Sequence, residues 1–229
     1  IFLYIKKADA SRIYGLELEH LLSPNHINFL IHGNTLIEEH ISGIPGDDFI
    51  AQHLEFCSEQ DKREIAKEFV KFNERCFVRL LGDMRSYNYV MVLTNDFDRI
   101  QYRIRAIDFD QQSYEGNQKV YKPQFLKENN KLVQLTARVL EDASIEQYKR
   151  EERSLLAKRA TSEKDRLNEL LSCMKNDTLS PPEKMKQLRK GLLELTGDVN
   201  FKKSKNMGEI LESALDFIVR NYETENPFL

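Results

Sequence analysis

Tryptophan is absent from this chain, and cysteine, proline and glycine are scarce: three, six and nine among 229 residues. Aromatic packing therefore falls to phenylalanine and tyrosine. Cys57, Cys76 and Cys173 are odd in number and far apart, which argues against both a disulfide framework and a zinc knuckle and fits a reducing, cytoplasmic setting. No apolar run approaches the roughly 18 residues that span a bilayer, and the opening IFLYIKKADA is too short for the apolar region of a signal peptide, so no membrane association is expected. The net charge of −3 carries no long block of one sign, which removes the electrostatic footprint of a nucleic-acid binder. No fixed-period repeat is visible. The sequence opens at Ile1 without Met, so residues can lie upstream of it.

What remains, 41% hydrophobic and 31% charged, is the composition of a folded globular chain, long enough for one large domain or two modest ones. Residues 1–42 read as short strands around one short helix: IFLYIKK, INFL and NTLIEEHI have strand composition, and YGLELEHLL is helical. SGIPGDD, residues 42–48, gathers Gly, Pro and Asp into a turn or hinge. From Glu59 to Leu80 the apolar positions Ile65, Phe69, Phe72, Cys76, Phe77 and Leu80 recur at helical spacing and predict a long amphipathic helix. YVMVLT and RIQYRIRAI flank the polar turn Asn95-Asp96-Phe97-Asp98 and predict an antiparallel hairpin. With the turn near Phe97 or Asp98, partners sum to about 195 or 196, and Asn88 falls opposite Asp108 at the open end, with their side chains as neighbours. From Pro123 onward the pattern is helical. Ser180-Pro181-Pro182-Glu183 reads as a helix start with Ser180 as N-cap, and residues 197–205 read as a polar loop.

LGDMRSYN, residues 81–88, precedes the first hairpin strand, and AIDFD, residues 106–110, ends the second. A carboxylate near an asparagine and a second carboxylate suits phosphoryl transfer, because Mg²⁺ prefers hard oxygen ligands and leaves one carboxylate free to orient a hydroxyl. GD-x4-N followed by a hairpin and IDF resembles the catalytic and metal-binding loops of the protein-kinase-like superfamily, and the wording is closest to its aminoglycoside and choline phosphotransferase branch. Upstream, FLYIKKADASRIYG resembles the third strand of that branch's small lobe, and NTLIEEHISG the strand and hinge that join its lobes.

The resemblance runs from about Leu3 to Phe125 and implies a two-lobed α/β (α+β) kinase-like fold. Residues 1–42 would be part of a truncated small lobe, and residues 43–229 a mostly helical large lobe. It implies Asp83 as the base or hydroxyl-orienting group, and Asn88 and Asp108 as holders of Mg²⁺. For ATP it implies Lys6 on the phosphates, Glu17 or else Glu19 as the helix carboxylate paired with that lysine, Tyr4 stacking on adenine, and Glu39 and Ile41 offering backbone groups to the adenine edge. The acceptor would be the hydroxyl of a small molecule, with a protein second. The departures are Leu81, where the family usually has His, the lack of a Gly-rich loop before Lys6, and a longer gap between Asn88 and Asp108. The first two leave open a pseudokinase that binds a nucleotide or a partner with little turnover.

Some residues read two ways. Asp83, Asn88 and Asp108 also suit turn chemistry, and Lys6 suits an edge strand. Asp110 is either a further ligand or a turn cap. His20, His26, His32, His40 and His53 lack an i, i+4 metal spacing and read as surface or partly packed residues. Ser113, Tyr114 and Tyr121 lie where an activation segment would run, and a structured loop is the simpler expectation.

Overall fold

The computed structural model describes residues 2–97 and 99–225, so Asp98 of the expected hairpin turn, Ile1 and the last four residues lie outside it. The architecture is mixed α+β. β1 (Leu3–Lys7), α1 (Ala10–Leu22), β2 (Phe29–His32) and β3 (Thr35–Glu39) form the first unit, an antiparallel sheet in the order β1-β3-β2 with α1 between its first two strands in sequence. The helix starts four residues before the expected stretch because Asp9 caps it, accepting the backbone N–H of Arg12 at 2.9 Å.

The expected hinge at residues 42–48 carries structure of its own. β4 (Ile44–Pro45) pairs with a later strand, and the single turn α2 (Gly46–Asp48) follows. Pro45 fits there because β4 is the edge of its sheet and its ring nitrogen has no hydrogen to donate. α3 (Glu59–Arg79) matches the expected long helix within a residue. A capping box between Ser58 and Asp61 opens it, and Leu80, in the left-handed region at φ 55°, closes it. β5 (Tyr89–Asp96) and β6 (Arg99–Ala106) form the expected hairpin, with Tyr89 opposite Ala106, and complete the second sheet in the order β4-β5-β6.

The helical remainder comprises α4 (Asn130–Val139), α5 (Asp142–Ser162), α6 (Lys164–Asn176), α7 (Pro182–Thr196), α8 (Asn200–Lys203) and α9 (Met207–Glu225). Two expectations are corrected. The N-cap of α7 is Pro181, because the hydroxyl of Ser180 instead donates to the Tyr114 carbonyl at 2.6 Å. The polar loop at 197–205 contains α8, formed because Phe201 is buried there. Residues 113–121 are a structured loop: Ser113 and Tyr121 are fully buried, and the Tyr121 hydroxyl donates to the Glu115 carbonyl at 2.6 Å.

Two apolar cores result, and both cross position 42. One gathers Leu16, Leu36 and Ile41 with Phe69, Phe72, Leu81, Phe109 and the hairpin; the other joins Leu18, Leu21 and Leu22 to α5, α6, α7 and α9. Helix α1 thus feeds both cores from opposite faces, so the first unit is anchored in the helical region through α1 as well as through β3. Between the cores lies a buried ion network. Arg75 donates to Glu68 at 2.5 Å and to Glu152 at 3.1 Å, and Arg79 donates to Glu19.

Candidate functional site

The loop after α3 is held from both sides. Leu81 is buried and pairs with Gln112, packing in the same core as Met84 and Phe109; an apolar contact stands where the resemblance expects histidine. Gly82 donates its N–H to the Gln111 carbonyl at 3.2 Å, and a Cβ on it would sit 3.1 Å from that oxygen. Asp83 follows in the left-handed region at φ 56°, with its N–H on the Val120 carbonyl at 3.2 Å. Such a conformation costs a non-glycine residue of the order of 1–3 kcal/mol, and these flanking bonds hold it in place. The strained residue is the one singled out as the hydroxyl-orienting group.

At the open end of the hairpin the expected pairing of Asn88 with Asp108 is off by one residue. The register pairs residues that sum to 195, so Asn88 lies across from Ile107, whose N–H reaches the Asn88 carbonyl at 3.0 Å, and Asp108 is the next residue. The Asn88 Nδ2 donates to the Asp83 carbonyl at 2.8 Å. That bond ties the two ends of LGDMRSYN together and turns Oδ1, which has no hydrogen-bond partner among the described residues, into the open group. The two stretches read from sequence as halves of one site are brought together.

Two arginines that the motifs did not single out also stand here. Arg12 on α1 donates Nη1 to Asp108 Oδ1 at 2.9 Å and Nε to Asp9 at 3.4 Å, and its Nη2 lies 3.8 Å from Asp110. Arg85 donates Nε to Asp83 Oδ1 at 2.7 Å and Nη1 to Glu128 at 3.0 Å. Burial, then the charge of Asp108, pushes the Asp110 carboxyl above its usual range. α1 comes this close because Gly15 has no side chain: a Cβ there would lie 2.8 Å from the Phe109 Cβ. The only sequence signal for Arg12 was Asp9 three residues earlier, the start of a helix. Its partner Asp108 is 96 residues away.

The expected nucleotide side is rearranged in one respect. Lys6 pairs at 2.7 Å with Glu38, not with Glu17, because Glu38 is its diagonal neighbour on β3, opposite Tyr4 in the register. Glu17 makes no ion pair among the described residues, and Glu19 is spent on Arg79 inside the protein. Glu38 is buried, and its second oxygen has no partner. The Tyr4 ring is half exposed, with its hydroxyl at 3.0 Å from His40 Nδ1. The Glu39 N–H bonds the Asn28 carbonyl at 2.9 Å and its side chain takes the Asn28 amide at 2.7 Å, whereas the Ile41 N–H is unengaged among the described residues and its side chain is in the core.

The donor set fits a hard divalent cation in part. Asn88 Oδ1 and the second oxygen of Asp108 are oxygen atoms without hydrogen bonds among the described residues, available to a cation, and Mg²⁺ ordinarily takes one or two protein ligands with phosphates and water completing its shell. Among the described residues no three His, Cys, Asp or Glu side chains form a self-sufficient metal cage. For a nucleotide, Lys6, the Tyr4 ring and the Ile41 N–H are the groups on offer. No helix among the described residues is long and apolar enough to cross a membrane. Comparison with protein-family models, with curated proteins and with solved structures finds no match, so the site stands on its own geometry.

Proposed function

We propose that this chain is an ATP- and Mg²⁺-dependent phosphotransferase of kinase-like fold, acting on the hydroxyl of a small molecule or, second, of a protein. The observation that carries the reading is the bond from Asn88 Nδ2 to the Asp83 carbonyl, which leaves Asn88 Oδ1 open beside Asp108 while holding Asp83 next to both. Strand order β1-β3-β2 with α1 inserted after the lysine strand supports it, since it keeps Lys6, Tyr4 and Ile41 on one connected unit.

In this mechanism Asp83 accepts the acceptor's hydroxyl proton as the new oxygen–phosphorus bond forms and the bond between the γ-phosphorus and the bridging oxygen breaks, leaving ADP. Asn88 and Asp108 would hold Mg²⁺, which supplies charge neutralisation on the phosphates. Lys6 neutralises phosphate charge from above, and Glu38 fixes its direction. Arg85 holds the Asp83 carboxylate in position through its 2.7 Å bond to Oδ1.

A second reading is favoured by Arg12. A guanidinium already on Asp108 is what a nucleotide- or partner-binding module with little turnover would have in place of a metal. Thermal unfolding with Mg²⁺ and ATP separates the readings. ATP at about 100 Kd stabilises by about 2.7 kcal/mol. A Mg²⁺-dependent rise that Asp108→Ala abolishes supports the enzyme and justifies a screen of hydroxyl acceptors. A rise that needs no Mg²⁺ supports a nucleotide-binding module, and no rise at millimolar nucleotide overturns the enzyme reading in favour of a partner-binding module.

A further inference from the structure

A cleft of about 680 Å³ opens in the helical region, away from Asp83, Asn88 and Asp108. Its walls come from α3, the 122–125 segment, α4, α5, α7, α8 and α9, and its surface is mainly apolar, with Phe69, Phe77, Phe125, Leu195, Phe217 and Ile218 lining it. Phe125 and Leu195 are about half exposed, an unusual placement for large apolar side chains that face a shared space. The volume lies within the few hundred to about 1,000 Å³ typical of small-molecule sites.

Apart from the exposed Gln124 amide and Lys122, the polar side chains on its lining are committed among the described residues. The Asn73 Oδ1 accepts the Gln124 N–H at 2.7 Å, and the Thr136 and Thr196 hydroxyls donate to carbonyls one helical turn back. Glu74 is paired with Arg153 at 2.6 Å, and Lys149 with Glu146 at 2.6 Å. Lys122 has no ion pair among the described residues; its ammonium rests 4.1 Å from the centroid of the Phe77 ring. Burial lowers its pKa from the ordinary lysine value, against the opposing pull of nearby Glu74, whose own ion pair is with Arg153. One carboxylate against three cationic side chains gives the cleft a positive lining.

We propose that this cleft is a binding site for a small amphipathic anion, with its apolar body among the phenylalanines and its single anionic group on Lys122. The recognition is complementary on both counts. An apolar chain gains by leaving water, and a carboxylate or sulfate gives the partly buried ammonium the partner it lacks. A cationic amphiphile would meet Lys122, Lys149 and Arg153 and be repelled. The site is separate from the phosphotransferase centre in composition, yet it shares a wall with it. Val120 accepts the Asp83 N–H on one side of the segment, and Asn129 ties that segment to Met84 by a 3.0 Å bond, while Lys122 and Phe125 face the cleft on the other.

The test uses decanoate below micellisation, with decylammonium as the matched cation, and reads ligand-observed saturation-transfer NMR with a titration on the full chain. Nucleotide and metal are omitted, so the outcome is independent of the phosphotransferase reading. Decanoate should bind at least tenfold more tightly than decylammonium. Lys122→Gln should weaken decanoate at least tenfold and should not weaken decylammonium. Ala137→Phe, on an exposed helical position that lines the cleft, should abolish decanoate binding while Lys122 is intact. Circular dichroism confirms that each variant is folded, and Ala137→Phe carries the test alone if Lys122→Gln is not. Equal binding of the two amphiphiles, decanoate binding unaffected by either folded variant, or no decanoate binding overturns the proposal.

Discussion

Two arginine–carboxylate constellations sit within one chain and differ in kind. Inside the protein, Arg75 and Arg79 meet Glu68, Glu152 and Glu19, all buried or nearly so, and Arg75 and Arg79 also reach the backbone carbonyls of Ile104 and Arg75. At the mouth of the hairpin, Arg12 and Arg85 face Asp9, Asp83, Asp108 and Asp110, whose side chains are about a third to a half exposed. The first set is closed: two arginines and three carboxylates bond one another with little exposure, and the geometry ties α1, α3, α5 and β6 together. The second is open, with four aspartates facing two arginines. Ion pairs of the first kind hold a fold in register, whereas an oversupply of oxygen at a solvent-facing edge leaves room for another cation.

The largest expected effect tests the closed set. Arg75→Ala leaves Glu68 and Glu152 as buried charges without a partner, and breaking such a pair costs about 3–5 kcal/mol. Denaturant unfolding should show that loss. A loss under about 1 kcal/mol would mean that water reaches the network and would erase its distinction from the open one.

The next effect concerns what brings the open set together. Gly15→Ala forces a Cβ into the 2.8 Å approach to the Phe109 Cβ, which is not the far end of a flexible side chain. Overpacking costs about 1–3 kcal/mol, against which alanine regains about 1 kcal/mol of helix propensity. A net loss of up to about 2 kcal/mol should appear in thermal unfolding, together with faster hydrogen exchange of the α1 amides. A variant more stable than the parent would show that α1 can shift without cost, and that its seat on the Asp108 loop is not set by this contact.

The sequence disclosed the open set better than the closed one, for a physical reason. Asp83, Asn88 and Asp108 lie on a loop and a hairpin whose short-range geometry follows from turn residues and alternation, so their convergence is readable from spacing. α3 was equally legible, because a long apolar stripe at helical period leaves little choice. Arg75 and Arg79 lie on that same helix, but their partners at Glu152 and Glu19 are fixed by how α5 and α1 pack, which no local pattern records. The partner of Lys6 was missed likewise. Glu38 reaches it through the β1–β3 register, whereas Glu17 is carried by α1 to another face. α8 escaped because a single buried phenylalanine, not periodicity, holds it.

Arg12 gives the smallest expected change in stability and the sharpest test of the difference. Its partners are partly exposed, so Arg12→Ala should cost about 1 kcal/mol or less, within the range of solvent-accessible pairs and well below Arg75→Ala. Its second readout is divalent binding to the nucleotide-free protein, followed by the electron paramagnetic resonance of free Mn²⁺. With the guanidinium gone, Asp108 Oδ1 is released and a nearby positive charge is removed, so Mn²⁺ should bind about tenfold more tightly, equivalent to about 1.4 kcal/mol. Arg12→Lys, which keeps the charge and loses the planar fork, should fall between the two. Weaker Mn²⁺ binding in Arg12→Ala would mean that the arginine orients Asp108 for the cation instead of competing with it. A stability loss as large as that of Arg75→Ala would mean that the open constellation is structural after all, and that its spare oxygens serve the fold.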